Sequence, residues 1–301
     1  MNTASSSPPF KSGFVAVMGR PNVGKSTLLN ALLGQKVAAV SPRPQTTRRR
    51  QLGILSLDTA QIIFVDTPGV HRPRHKLGEL MNQAAREALT DADVILFLAD
   101  ISVPPQDEDR LLADMIAATN GAAKTIFVLN KLDLLPPAKL ELQTVAYQQL
   151  LPGAQILPLS AARGDHRDDL ILAILARLPE GPEYFPREQI TDLYERDIAA
   201  DLIREAALLC LDDEVPHGIA VRIEDYKDRR EEQAYIAATL FVERETHKGI
   251  VIGQGGAMLK KIGSAARQEI EALTGRHVFL DLKVKVQKGW RDDEQALRRL
   301  L

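Results

Sequence analysis

Gly19-Arg20-Pro21-Asn22-Val23-Gly24-Lys25-Ser26 stands between an apolar run, Phe14 to Met18, and a helically spaced stretch, Thr27 to Leu33, that stops at Gly34. The eight residues fit G-x-x-x-x-G-K-[ST], a loop that holds a nucleotide by its phosphates. Gly19 and Gly24 permit backbone angles closed to other residues, so successive N–H groups turn inward beneath a helix N-terminus and form an anion site. Lys25 then reaches the β- and γ-phosphates. The Ser26 hydroxyl is set to ligate a Mg²⁺ ion that bridges the same phosphates.

Outward from this loop, apolar runs alternate with helical patterns from residue 13 to 178. That alternation predicts an α/β domain with a mostly parallel sheet and helices on both faces. Strands are expected at Phe14 to Met18, Gln61 to Val65, Val94 to Ala99, Thr125 to Leu129 and Gln155 to Leu159, with a further pairing strand near Gln51 to Leu57. Residues 179–190 carry three prolines and a glycine and read as a linker. Residues 191–301 form a second, α+β domain ending in a helix, and residues 1–12 a flexible tail without the basic start or apolar core of a signal peptide.

The length of 301 residues suits two domains that each bury a core. A net charge of −2 excludes a chain basic throughout, so any nucleic-acid contact comes from a local patch. Cys210 is the single cysteine, which excludes a disulfide framework and fits a reducing cytoplasm. No apolar stretch is long enough to span a membrane.

Further stretches fall at the strand ends where an open α/β sheet places its ligand. Asp66-Thr67-Pro68-Gly69 follows one strand: the Asp66 carboxylate reaches Mg²⁺, and Gly69 approaches the γ-phosphate. Asn130-Lys131-Leu132-Asp133 follows another and selects the base. The Asp133 carboxylate accepts from both the ring N–H and the exocyclic amine of guanine, which adenine cannot satisfy. Asn130 ties this loop to the phosphate loop, the Lys131 stem covers the base, and Ser160-Ala161 offers a backbone N–H to the guanine carbonyl. In Gln45-Thr46-Thr47-Arg48 a hydroxyl, Thr47 in preference to Thr46, completes the Mg²⁺ shell when the γ-phosphate is present. A solvated basic loop explains the polarity of that stretch as well.

The five elements together resemble the Era-like branch of the translation-factor-related GTPases. The resemblance implies that residues 19–27, 66–70, 130–133 and 160–161 bind GTP or GDP, and that Lys25, Asn22, Thr47 and Gly69 serve hydrolysis. Ser26, Thr47 and Asp66 become the metal ligands. Val70 follows D-x-x-G where other GTPases carry a glutamine that orients the attacking water, and its side chain cannot hydrogen-bond water. The resemblance implies a K⁺ ion, coordinated partly by Asn22, in compensation.

In the second half, Gly253-Gln254-Gly255-Gly256 fits G-x-x-G, the loop by which KH domains clamp a single-stranded RNA backbone. Between Phe241 and Arg291 there are ten Lys or Arg against five Asp or Glu. Lys248, Lys260, Lys261, Lys283 and Lys285 are the expected RNA contacts, with Arg276 and Lys288 as further cations. A strand with one solvated face accounts for Lys283 and Lys285 equally well. Gln254 departs from the Lys or Arg common in KH loops. A GTPase domain followed by a type II KH domain is the Era-like arrangement. It implies a monomeric, cytoplasmic GTPase, partly at the inner face of the cell membrane, that binds small-subunit (16S) ribosomal RNA and serves 30S subunit assembly. The alternative is an RNA-binding assembly protein in which nucleotide is only structural.

Overall fold

The computed structural model describes residues 9–40, 48, 50–73, 75–212, 215–230 and 232–300. The chain divides into two compact units: Met1–Val37, Arg50–Val70 and Ala84–Asp192 in the first, and Ala38–Arg49, His71–Gln83 and Leu193–Leu301 in the second. The N-terminal tail to residue 8 and Gln45, Thr46 and Thr47 lie outside the described residues.

The first unit runs β1 (Lys11–Met18), α1 (Lys25–Leu33), β2 (Gln51–Ser56), β3 (Ala60–Asp66), the second half of α2 (Lys76–Asp91), whose residues to Gln83 are counted with the second unit, β4 (Val94–Asp100), α3 (Asp107–Ala118), β5 (Thr125–Asn130), α4 (Leu140–Gln148), β6 (Gln155–Pro158) and α5 (Arg167–Arg177). Its sheet has the order β2-β3-β1-β4-β5-β6, parallel except for β2, which pairs antiparallel with β3 at the edge. Every residue of β3, β4 and β5 is buried, as continuous apolar runs covered on both faces must be. The order reverses at β1, so the loop after β1 opens at the switch point of the sheet, beside the C-terminal ends of β3 and β4. Phe97 and Phe127 stack at 4.2 Å in the core, with the Tyr147 ring edge-on to Phe127 at 5.8 Å.

The Pro-rich segment after α5 packs back onto this unit. Ser12 N–H donates to Pro179 O at 3.1 Å, and the buried Gln61 amide accepts from the N–H groups of Tyr184 and Phe185 at 2.8 and 3.0 Å.

The second unit contains α6 (Glu195–Cys210), β7 (Ala220–Arg230), β8 (Gln233–Val242), α7 (Glu245–Ile252), α8 (Ala257–Thr274), β9 (His277–Val286) and α9 (Glu294–Leu300). Its sheet is β7-β8-β9, antiparallel then parallel, and α6 and α8 close one core with it through Ile203, Ile262 and Ile236. Sequence reading missed α7: Ile250-Val251-Ile252 is β-branched, yet an acidic first residue, Glu245, and the burial of Val251 in this core make it helical. Among the described residues no helix is long and apolar enough to cross a membrane.

Candidate functional site

The phosphate loop leaves β1 and turns into α1 at Gly24, whose φ of 100° is in the left-handed region. A side chain there would also collide with the Asn130 amide, so geometry and space both demand glycine. Lys25 is the first residue of α1. It is buried, and its ammonium donates to Gly19 O and Arg20 O at 3.1 Å each, folding over the loop. Burial pushes the Lys25 pKa down to about 8, against the opposing pull of Asp66 and with a further push from Arg20. Such a cation gains from any anion brought to it. Ser26 and Thr27 follow on the same turn, both half-buried, and Asn22 stands exposed with a φ of 64°.

Several side chains of these loops are engaged within the protein. Arg20 pairs with Asp109 at 3.3 Å and lies 3.9 Å from Asp100. Thr67 is buried and donates its hydroxyl to Val17 O at 2.8 Å. Asp66, at the end of β3, is fully buried and accepts from the Gln51 amide at 3.2 Å. Gly69 approaches the Pro21 ring so closely that a Cβ would sit 2.8 Å from Pro21 N. Val70 N–H donates to Gly19 O at 3.3 Å while the side chain is buried in the core with Ala85 and Leu89. Its side chain therefore faces packed hydrocarbon.

At the end of β5 the buried Asn130 joins three loops: its amide donates to Val23 O at 2.7 Å, and its carbonyl accepts from Ala161 N–H at 2.9 Å. This qualifies the expectation for Ala161, whose N–H is already used within the protein. Ser160 Oγ donates to Asp133 Oδ1 at 2.6 Å and fixes that carboxylate. Leu132 N–H donates to Leu159 O at 3.1 Å, which ties together the two loops expected to hold the base. Lys131, with a φ of 66°, pairs with Asp100 at 2.7 Å.

Asp100 directly follows the strand expected at Val94 to Ala99 and was not among the expected site residues. Burial raises its pKa, but hydrogen bonds from Lys131 and Ser102 outweigh this and leave it lowered. A carboxylate at the C-terminal end of a central strand was the available signal.

In the second unit Gly253 to Gly256 joins α7 to α8. Gly253 has a φ of 72°, and a Cβ there would lie 2.8 Å from Met258 N, so this turn also requires glycine. Gln254 and Gly255 are exposed, and Lys248 on α7 is half-buried. A groove of about 420 Å³ runs between α8 and β9, lined by Leu259, Val278, Phe279 and Leu280 together with Lys260 and Arg267. An apolar lining with cations in it suits unstacked bases and their phosphates. Arg267 was missed, although it recurs seven residues after Lys260 on one face of a helix.

The other expected cations lie outside the lining of this groove. Lys283 and Lys285 are exposed on β9, on the strand face that also carries Phe279, and neither lines the groove. Arg276 is bound to Glu195 at 2.9 Å and Asp228 at 2.7 Å, and its charge is already matched. Lys261 remains exposed on α8, and Lys288 is exposed after β9.

Comparison with known proteins follows the same division. A family model described as 50S ribosome-binding GTPase matches residues 14–131, and a KH domain model matches residues 214–291. GTPase Era of Geobacter metallireducens is 46% identical over 294 residues, covering 97% of this chain and 98% of the relative. GTPase Era of Ruminiclostridium cellulolyticum is 45% identical over 292 residues, covering 97% of both chains. Among solved structures, Era in complex with MgGDPNP and nucleotides 1506–1542 of 16S ribosomal RNA superposes with a TM-score of 0.92 at 42% identity, covering 97% of this chain and 98% of that one. An Aquifex aeolicus Era variant bound to GDP·AlF4⁻ gives 0.91 at 41% identity, covering 97% and 99%.

Proposed function

This chain belongs to the Era family of GTPases, and from that premise we propose that its hydrolysis of GTP to GDP and phosphate is coupled to binding of 16S ribosomal RNA during assembly of the 30S subunit. One observation carries the proposal. Era has been crystallised with a Mg²⁺-bound GTP analogue and a 16S RNA segment together, and that protein matches this chain along nearly its whole length.

In this reading Lys25 and the loop amides from Asn22 to Ser26 stabilise charge on the transferring phosphoryl group, and Gly69 brings a backbone N–H to the γ-phosphate. Asp133, held by Ser160, selects guanine, and Asn130 keeps the phosphate and base loops in register. The donors fit Mg²⁺: Asp66 and Ser26 supply hard oxygens, and the buried Lys25 shares the neutralisation of phosphate charge. Bound there, the ion would offset charge on the β- and γ-phosphates. Thr47 completes that set in the proposal. Val70, buried in the core, leaves water orientation to other groups, and the Asn22 amide would offer a neutral oxygen of the kind that suits K⁺. A monomeric state, a cytoplasmic location and peripheral contact with the inner face of the membrane complete the proposal.

The Gly253–Gly256 loop clamps RNA phosphates, with Lys248, Lys260, Lys261 and Arg267 as the cations. The test is affinity of the full chain for a 3′-terminal 16S fragment. Reversing Lys260 and Arg267 to Glu is expected to weaken binding by about tenfold or more. Equal affinity for a scrambled RNA, or no loss on charge reversal, overturns the assignment.

A further inference from the structure

One cavity of the second unit, about 140 Å³ in volume, is formed by residues of α6, β7 and α9 and by Arg48. Five of its lining residues are arginines: Arg48, Arg196, Arg204, Arg222 and Arg299. Asp197 and Asp201 are the two carboxylates, which leaves an excess of three positive charges around one small space. β7 and β9 are the two edges of the three-stranded sheet, so this cavity and the groove along α8 draw on opposite edges and share no lining residue. The charge gathered here thus serves a different place from the expected RNA contacts.

Arg48 and Arg204 are 8% and 5% exposed. Arg48 donates to Ile219 O at 2.7 Å and His217 O at 2.9 Å, and its guanidinium lies 5.3 Å from the centre of the Trp290 ring. These partners are neutral. Its Nε is buried and meets no acceptor among the described residues. Burial first, then the nearby Arg204 and Arg291, hold the Arg48 pKa below its ordinary value, and Asp201 and Glu243 offset this only in part. Arg222 gives its Nη2 to the Glu224 carboxylate at 2.7 and 2.9 Å, while its Nε is likewise buried without an acceptor. The exposed Arg196 and Arg299 reach neutral oxygens, Ile223 O at 3.3 Å and Gln287 Oε1 at 3.2 Å. Buried donors without acceptors are rare in folded proteins and call for a bound water or ion.

We propose that this cavity binds a free hydrogenphosphate ion, held by its arginines and selected by Asp197 and Asp201. The guanidinium fork matches phosphate oxygens in pairs, and a doubly charged anion answers an excess of three cations better than a single carboxylate does. A volume of about 140 Å³ is the share of about five waters at about 30 Å³ each, which admits one tetrahedral ion and excludes a nucleoside attached to it. The two carboxylates decide between anions. An ionised carboxylate only accepts hydrogen bonds, and its several lone-pair sites leave room for the P–OH proton of hydrogenphosphate, which sulfate lacks at neutral pH.

The test uses the full chain saturated with GDP, so that the phosphate loop is occupied and hydrolysis releases no phosphate. Sodium phosphate, sulfate and chloride are titrated at neutral pH and matched ionic strength. Trp290 emission and melting temperature are recorded, since Trp290 is the single tryptophan and lies against Arg48. The expected result is a saturable response to phosphate with a midpoint below about 1 mM, within reach of a few charge-assisted hydrogen bonds. The sulfate midpoint should be higher by about tenfold or more, because sulfate shares the general stabilising effect of an excluded anion but brings no proton to the carboxylates. Arg196→Gln and Arg299→Gln replace exposed side chains whose hydrogen bonds above are to neutral oxygens, so the double variant keeps its fold. It should raise the phosphate midpoint by about tenfold or more while its melting temperature without phosphate stays near the original. A phosphate response that never saturates, equal midpoints for phosphate and sulfate, or an unchanged phosphate midpoint in the double variant overturns the inference.

Discussion

Asn130→Ala removes a side chain that touches three loops and is 2% exposed. Two hydrogen bonds go with it, to Val23 O at 2.7 Å and from Ala161 N–H at 2.9 Å. Leaving a buried donor and a buried acceptor unmatched costs about 1–3 kcal/mol each. Water entering the vacated space favours the lower end, about 2 kcal/mol in all, or a fall of about 4–8 °C in the melting temperature of a unit this size. Because Asn130 holds the phosphate and base loops together without a role specific to the γ-phosphate, affinities for GDP and GTP should fall by the same factor. About tenfold corresponds to 1.4 kcal/mol of that loss appearing in binding. Calorimetric melting of the nucleotide-free chain and titration with fluorescent GDP and a GTP analogue measure both quantities. A melting temperature within about 1 °C of the original with unchanged GDP affinity would refute the reasoning. A loss confined to GTP would refute the argument for a bridge remote from the γ-phosphate.

Lys25, with a pKa lowered from 10.5 to about 8 by burial, begins to lose its charge above about pH 8, and a bound polyphosphate should restore it. GDP affinity is therefore expected to be flat below that pH and to fall, by up to about tenfold per unit, as pH rises through it. Stability of the nucleotide-free protein runs the opposite way: the unfolded chain binds more protons between about 8 and 10.5, so folding gains with pH across that window. A GDP titration over about pH 7–9 that shows rising affinity would contradict both the burial and the sign. For Asn22, hydrolysis should be faster in KCl than in NaCl, and Asn22→Ala should erase the difference; equal rates in the two salts would remove K⁺ from the proposal.

Most of the first unit was legible because its information is local. Each strand is a short apolar run, and each ligand-binding loop is a contiguous stretch whose spacing reflects the reach of a backbone or side chain. Asn130 could be assigned to the phosphate loop from sequence because its loop follows a strand end beside it. What escaped were pairings between distant stretches. Nothing near Arg20 announces that its side chain is claimed by Asp109, and nothing near Asp100 announces Lys131. In the second unit a parity argument was available for Lys283 and Lys285, but which face of β9 met α8 depended on packing. The helix α7 was hidden because β-branched residues weigh towards a strand until tertiary burial decides otherwise.

The amino-acid sequence by itself carries one loop of the kind that holds nucleotide phosphates and one of the kind that clamps an RNA backbone. Loops of that kind are written in consecutive glycines, a lysine, a serine and a carboxylate, and they need only a strand and a helix to present them. Tertiary structure alone decided which of those side chains are engaged within the protein, and that Arg48 and Leu77 gather with Trp290 while His75 pairs with Asp292. A buried cation, an indole and a helix face from three distant stretches can be recognised as one cluster only after the chain has folded, because burial and the loss of water are what give their contacts weight.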